Sequence, residues 1–224
     1  MQADRPRRSG GFTLVELLVA ISLMALMALL SWRGLDGIGR TQSRLLQRSD
    51  EVLTLQATLA QWSADLDAMT PQPNLPGLEW DGRSLRILRR GSIDAADGLR
   101  VVAWALRVVN GQGHWLRWLS PPLQNRADLD LAWQKAAIWA QTPSDEDHLR
   151  EVRTVPLDSW QIFYYRSNAW TNPLSSADSD TAAGTGTAAT LPDGVRLLLK
   201  LPPGQALGGS LTRDWVQPLL GGSR

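Results

Sequence analysis

Apolar and polar positions follow three successive textures along this chain. From Phe12 to Leu30 apolar residues are nearly continuous, without proline and with Glu16 as the single charge. About twenty such residues are enough to cross a bilayer as a helix, so the run predicts a membrane span. Apolar residues then recur at Leu45, Val52, Leu55, Leu59, Trp62, Leu66 and Met69. After one step of seven, those spacings alternate three and four, the pattern of an amphipathic helix that packs on a sheet. Thr70-Pro71, with Pro73 and Pro76, ends it. Read as one rod, Phe12 to Met69 would measure about 85 Å at about 1.5 Å per residue. Gly34, Gly37 and Gly39 are its weak place, each costing about 1 kcal/mol of helix propensity relative to alanine. They predict bending or partial melting, or else a plain linker; either reading lets a head reorient on its anchor.

Beyond Pro76 the period changes to two. Ser84–Leu88, Gly98–Val109, His114–Ser120, Val152–Leu157, Trp160–Arg166, Val195–Leu201 and Leu211–Val216 read as short antiparallel strands between turn residues. Asn110-Gly111 is a hairpin signal, and Leu211–Val216 is expected at an edge. Arg126–Gln141 puts Leu129, Trp133, Ala136, Ala137 and Ala140 on one helical face, although Ile138 and Trp139 also fit a strand. Residues 172–190, rich in Ser, Ala, Gly, Thr and Asp, have no apolar period and read as a mobile loop. Gly221–Arg224 reads as a frayed tail. The fold expected is therefore α+β: a long N-terminal helix packed on an antiparallel β-sheet head.

Composition narrows the functions available. The 224 residues leave room for one membrane helix and one globular domain. There are 23 basic and 22 acidic residues and no cysteine. A near-neutral chain offers no electrostatic footprint for nucleic acid, and neither disulfides nor thiolate metal sites are possible. The only histidines, His114 and His148, have no Gly-x-Ser-x-Gly neighbour, so no catalytic residue and no cofactor are expected. Asp145, Glu146 and Asp147 are adjacent carboxylates, a poor arrangement for calcium compared with alternate spacing, and read as a solvated charge run. Asp178 and Asp180 are better spaced but lie in the loop. No metal is expected. Of the eleven tryptophans, Trp104, Trp115, Trp118 and Trp160 fall in strand patterns and read as core. Trp133, Trp139 and Trp170 are the candidates for an exposed aromatic interface.

Glu16 carries the remaining chemistry. A carboxylate inside a membrane span costs about 2.5 to 3.5 kcal/mol and calls for a partner. If the chain were cut between Gly11 and Phe12, the new amine of Phe12 would lie at the same depth as Glu16 of its own or a neighbouring subunit. Arg5, Arg7 and Arg8 precede the run, as the positive-inside rule requires of a cytoplasmic end. A secretory signal would want a small-residue cleavage site after the apolar run, and Ser31-Trp32-Arg33 does not supply one.

Gly11-Phe12-Thr13-Leu14-Val15-Glu16, behind a short basic leader and ahead of an apolar helix, resembles the prepilin signal of type IV pilins and type II secretion pseudopilins. The resemblance implies that a prepilin peptidase removes residues 1–11 and that the amine of Phe12 is methylated. It implies that 12–35 form the membrane and filament-core helix, 36–70 its amphipathic continuation, and 71–224 a periplasmic head. Ser31-Trp32-Arg33-Gly34-Leu35-Asp36, the helix through Leu66, and the block from Trp160 to Leu197 with Leu191-Pro192-Asp193-Gly194 resemble the minor pseudopilin J family of type II secretion. That resemblance implies a non-enzymatic pseudopilus-tip subunit, anchored once in the inner membrane and bound to minor pseudopilins I and K and to the major pseudopilin. Trp62-Ser63-Ala64-Asp65 departs from the charged helix ending of that family. This keeps open a minor pilin of a type IV pilus, or a membrane-anchored periplasmic binding module.

Overall fold

The computed structural model describes residues 13–70, 72, 77–91, 98–175 and 191–218. The leader with Gly11 and Phe12, Asp178 and Asp180, all but the first residues of the 172–190 loop, and the tail Gly221–Arg224 lie outside them. The chain divides into two compact units, Met1–Arg48 and Ser49–Arg224. Helix α1, Leu14–Asp67, is 54 residues long.

In the first unit the apolar run is helical and uncovered. Leu17, Leu18, Val19 and Ile21 point in different directions around the axis, yet each is more than half exposed. The helix is unbroken through Gly34, Gly37 and Gly39, so the expected partial melting is not found. The reason is local. Helix on both sides means that each glycine only propagates an existing ladder, at one hydrogen bond per residue. Thr41 and Ser43 return their hydroxyls to the carbonyls of Gly37 and Gly39, at 2.9 and 3.0 Å. Leu45, expected in the buried stripe, is exposed.

The second unit holds two antiparallel sheets where the sequence suggested one. The first runs β1(Leu78–Trp80)-β2(Ser84–Arg90)-β3(Leu99–Val109)-β4(Gln112–Leu119)-β5(Glu151–Pro156). The second runs β7(Ala169–Thr171)-β6(Ser159–Arg166)-β8(Gly194–Leu201)-β9(Gly209–Val216), with β9 at an edge as expected. Asn110 and Gly111, at φ 53° and 80°, make the two-residue turn between β3 and β4. Arg126–Trp139 is helix α2, which settles the helix-or-strand alternative; its N-cap Asn125 accepts from the Asp128 amide.

Two cores result. One gathers Leu55, Trp62 and Leu66 of α1, one face of the first sheet with Trp104 and Trp115, and the inner face of the second sheet with Trp160, Ile162, Leu197 and Trp215. The other packs α2, through Leu129, Ala132, Ala136 and Trp139, on Leu88, Val101, Ala103, Ala105 and Trp118. The first sheet is thus covered on both faces, and Val101 to Ala105 are buried without alternation.

Candidate functional site

The first unit begins with a local device. Thr13 stands just before α1, and its hydroxyl accepts from the Glu16 amide at 3.3 Å and lies 3.4 Å from the Glu16 carboxylate. Thr-x-x-Glu ahead of an apolar run is a capping-box sequence, so the same four residues that start the helix also hold the carboxylate at its mouth. Glu16 meets no basic side chain among the described residues. Among the described residues one helix is long and apolar enough to cross a membrane, and the relevant stretch has no protein cover.

In the second unit the end of α1 is fixed by a buried carboxylate. Asp65 is fully buried and accepts from four side chains at once. Arg117 reaches it through Nε and Nη2 at 2.7 and 2.8 Å, Trp104 through its indole N–H at 2.9 Å, and Gln61 at 3.0 Å; Arg89 pairs with it as well. These donors come from β4, β3, α1 itself and β2. Two residues further, Asp67 accepts from the Trp215 indole of β9 at 2.8 Å. The Glu51 carboxylate accepts from the Ala206 amide at 2.7 Å.

Helix α2 is held by two copies of one arrangement. Trp133 donates its indole N–H to Glu79 at 2.7 Å, Arg86 pairs with Glu79 at 2.9 Å, and the guanidinium lies over the Trp133 ring. Trp139 donates to Glu151 at 2.7 Å, Arg107 pairs with Glu151 at 2.6 Å, and Arg107 lies over the Trp139 ring. Each arginine also donates to the carbonyl of its own tryptophan. Trp139 is therefore core rather than available interface, Trp133 is half-buried, and Trp170 lies under Arg196 at 4.2 Å. Trp104, Trp115, Trp118 and Trp160 are buried as expected.

The acidic run is structured rather than merely solvated. Ser144 and Asp147 form a capping box on the short helix α3, Asp145–His148. Lys135 pairs with Glu146 at 2.9 Å. Burial pushes the Asp147 carboxyl up, but its bonds to Ser144 and the charge of Lys135 outweigh this and hold it below the usual range. Burial raises Glu151 too, and the hydrogen bonds from Arg107, His148 and Trp139 hold it low. Burial, then Arg153, lowers His114. His148 bonds Glu151 at 2.8 Å. Among the described residues no three His, Asp or Glu side chains cluster as a metal site.

The comparisons with known proteins decide what this architecture serves. Residues 6–32 match the prokaryotic N-terminal methylation motif. Type II secretion system protein J of Klebsiella pneumoniae is 30% identical over 209 residues, covering 88% of this chain and 91% of that protein. The chain belongs to the type II secretion system protein J family. The Escherichia coli protein J is 23% identical over 227 residues, covering 94% of this chain and 96% of its own. Protein J relatives thus align with the head as well as the signal, and the chain is a minor pseudopilin of type II secretion. Its apolar N-terminal helix fits a single-pass anchor in the inner membrane.

Proposed function

We propose that this protein J is a structural subunit of the pseudopilus tip, with its head in the periplasm, and that it acts by assembly rather than by bond-making. The observation that carries the reading is the junction of a capped, uncovered apolar helix bearing one carboxylate with a head clamped to the end of that helix. In this reading 1–11 are the leader, prepilin peptidase cuts between Gly11 and Phe12, and the Phe12 amine is methylated. Residues 12–35 pack in membrane or filament core, 36–70 carry the helix into the head, and 71–224 complete that head. Glu16 pairs with the Phe12 amine of a neighbour, an interaction whose strength grows where water is excluded. Minor pseudopilins I and K and the major pseudopilin are the partners.

Mass analysis of the N-terminus of protein purified from its native membrane, with identification of co-purifying proteins, tests this directly. A chain starting at methylated Phe12 alongside small prepilin-like proteins supports the reading; an intact leader, or cleavage near Ser31, removes it. Glu16→Gln should be processed normally yet recover less of its partners. Gly11→Leu should remain unprocessed.

A further inference from the structure

Between the membrane span and the head, α1 carries four arginines and one aspartate from Ser31 to Arg48, a net charge of three positive. At about 100° per residue, Arg33, Arg40, Arg44 and Arg48 fall within an arc of roughly 80° on one side of the helix. All four are exposed. Arg40 meets Asp36 at 2.6 Å in an open i,i+4 pair, the kind that holds side chains weakly in water. Arg33, Arg44 and Arg48 have no carboxylate partner among the described residues. Trp32, 72% exposed, sits at the boundary of the span, where an indole prefers the headgroup layer.

We propose that this arginine face docks on anionic phospholipid headgroups at the outward surface of the membrane. The inference rests on reading Leu14–Leu30 as the membrane span. Arg33 lies about 5 Å and Arg40 about 15 Å beyond Leu30 along the axis, so an upright helix presents these two to the headgroups. Arg44 and Arg48 lie about 21 and 27 Å out and reach the surface when the helix leans toward its arginine side. All four charges share that side, so an anionic surface pulls the helix over in one direction. A Cβ placed at Gly34 or Gly37 would meet no atom within 4 Å beyond the adjoining helix backbone. A polyanionic protein face competes for the same charges; continuity with the span and the boundary position of Trp32 favour lipid.

The chain has no cysteine, so single thiols can be placed at will. The test reconstitutes the full chain with a nitroxide at Thr41→Cys or Ala20→Cys, in vesicles of phosphatidylcholine alone or mixed with phosphatidylglycerol, and reads accessibility to a water-soluble nickel chelate. Accessibility at position 41 should fall several-fold on adding phosphatidylglycerol and return at high salt. The fall should vanish when Arg33, Arg40, Arg44 and Arg48 are all changed to Gln. Equal accessibility in both lipids, or an unchanged fall in the Gln variant, overturns the proposal. Protection that arises in neutral vesicles only on adding other pseudopilins assigns the face to protein and overturns it too. A label at position 20 that is open to the chelate in both lipids refutes the span itself, and the docking with it.

Discussion

The indole N–H of Trp104 donates to the carboxylate of Asp65 at 2.9 Å, joining the middle of β3 to the end of α1 across 39 residues. The same carboxylate takes Arg117 and Arg89, so a single helix side chain fixes three strands of the first sheet. A buried carboxylate is tolerable only because its lone pairs are filled and its charge is met.

Replacing Asp65 with Asn should therefore be severe. It leaves two mostly buried arginines without their counter-charge, and the expected loss is about 3 to 5 kcal/mol. Urea unfolding of the purified variant in detergent, compared with the parent, measures it. A midpoint shift no larger than that of an exposed control such as Asp130→Asn would refute the hub.

The paired arrangement around α2 predicts unequal costs. Trp139 is fully buried while Trp133 is half-buried. Trp139→Phe should cost about 1.5 to 3 kcal/mol, because the indole's hydrogen bond goes to a charged, shielded acceptor. Trp133→Phe should cost less. Denaturant midpoints of the two single variants settle the order.

Acid should loosen the Glu151 corner. A carboxylate held below its ordinary value of 4.5 contributes stability that is complete above that value and disappears as pH falls through the lower, folded one. Glu151→Gln should be less stable than the parent at neutral pH, with the gap narrowing as pH drops below about 4.5. A gap constant from neutrality to about pH 3 would show that the pairing carries no proton linkage.

Gly113 is fixed by space. A Cβ there would meet the Leu157 carbonyl oxygen at 2.2 Å, a backbone atom that cannot swing aside. Gly113→Ala should cost about 3 kcal/mol by forcing β4 from the chain beyond β5. A thermal scan reads it as a lowered melting temperature; an unchanged one would mean the junction yields freely.

Particular residues explain what could be read beforehand. The apolar run of α1 announced itself by unbroken length, and the stripe through Leu55, Trp62 and Leu66 and most strands did so because each buries one periodic face. The division into two sheets did not, since alternation says which side of a strand is buried and nothing about its neighbours. β1 and β7, three residues each, are too short to show a period. The Asp65 hub had one signal: Asp65 follows Trp62 by three positions and so lies on the buried face, where an acid demands partners. Its partners on the sheet, Arg89, Trp104 and Arg117, are 24, 39 and 52 residues away, distances no local pattern spans. The acidic run looked solvated because a capping box depends on where a helix begins. The glycines looked fragile because propensity counts residues singly, whereas a helix continues from its neighbours.

The bond from Trp215 to Asp67 closes a loop of 148 residues between the last strand and the end of the first helix. A newly made chain therefore offers Asp67 no partner in β9 until about 150 further residues have been synthesised. Contacts of such long range form late and make folding slow. The head should accordingly become a finished unit only after β9 is available, and a product truncated before residue 215 should keep the Asp65 contacts of α1 but lack the one to Asp67. In effect β9 reports to the first helix that the head's second sheet has been made.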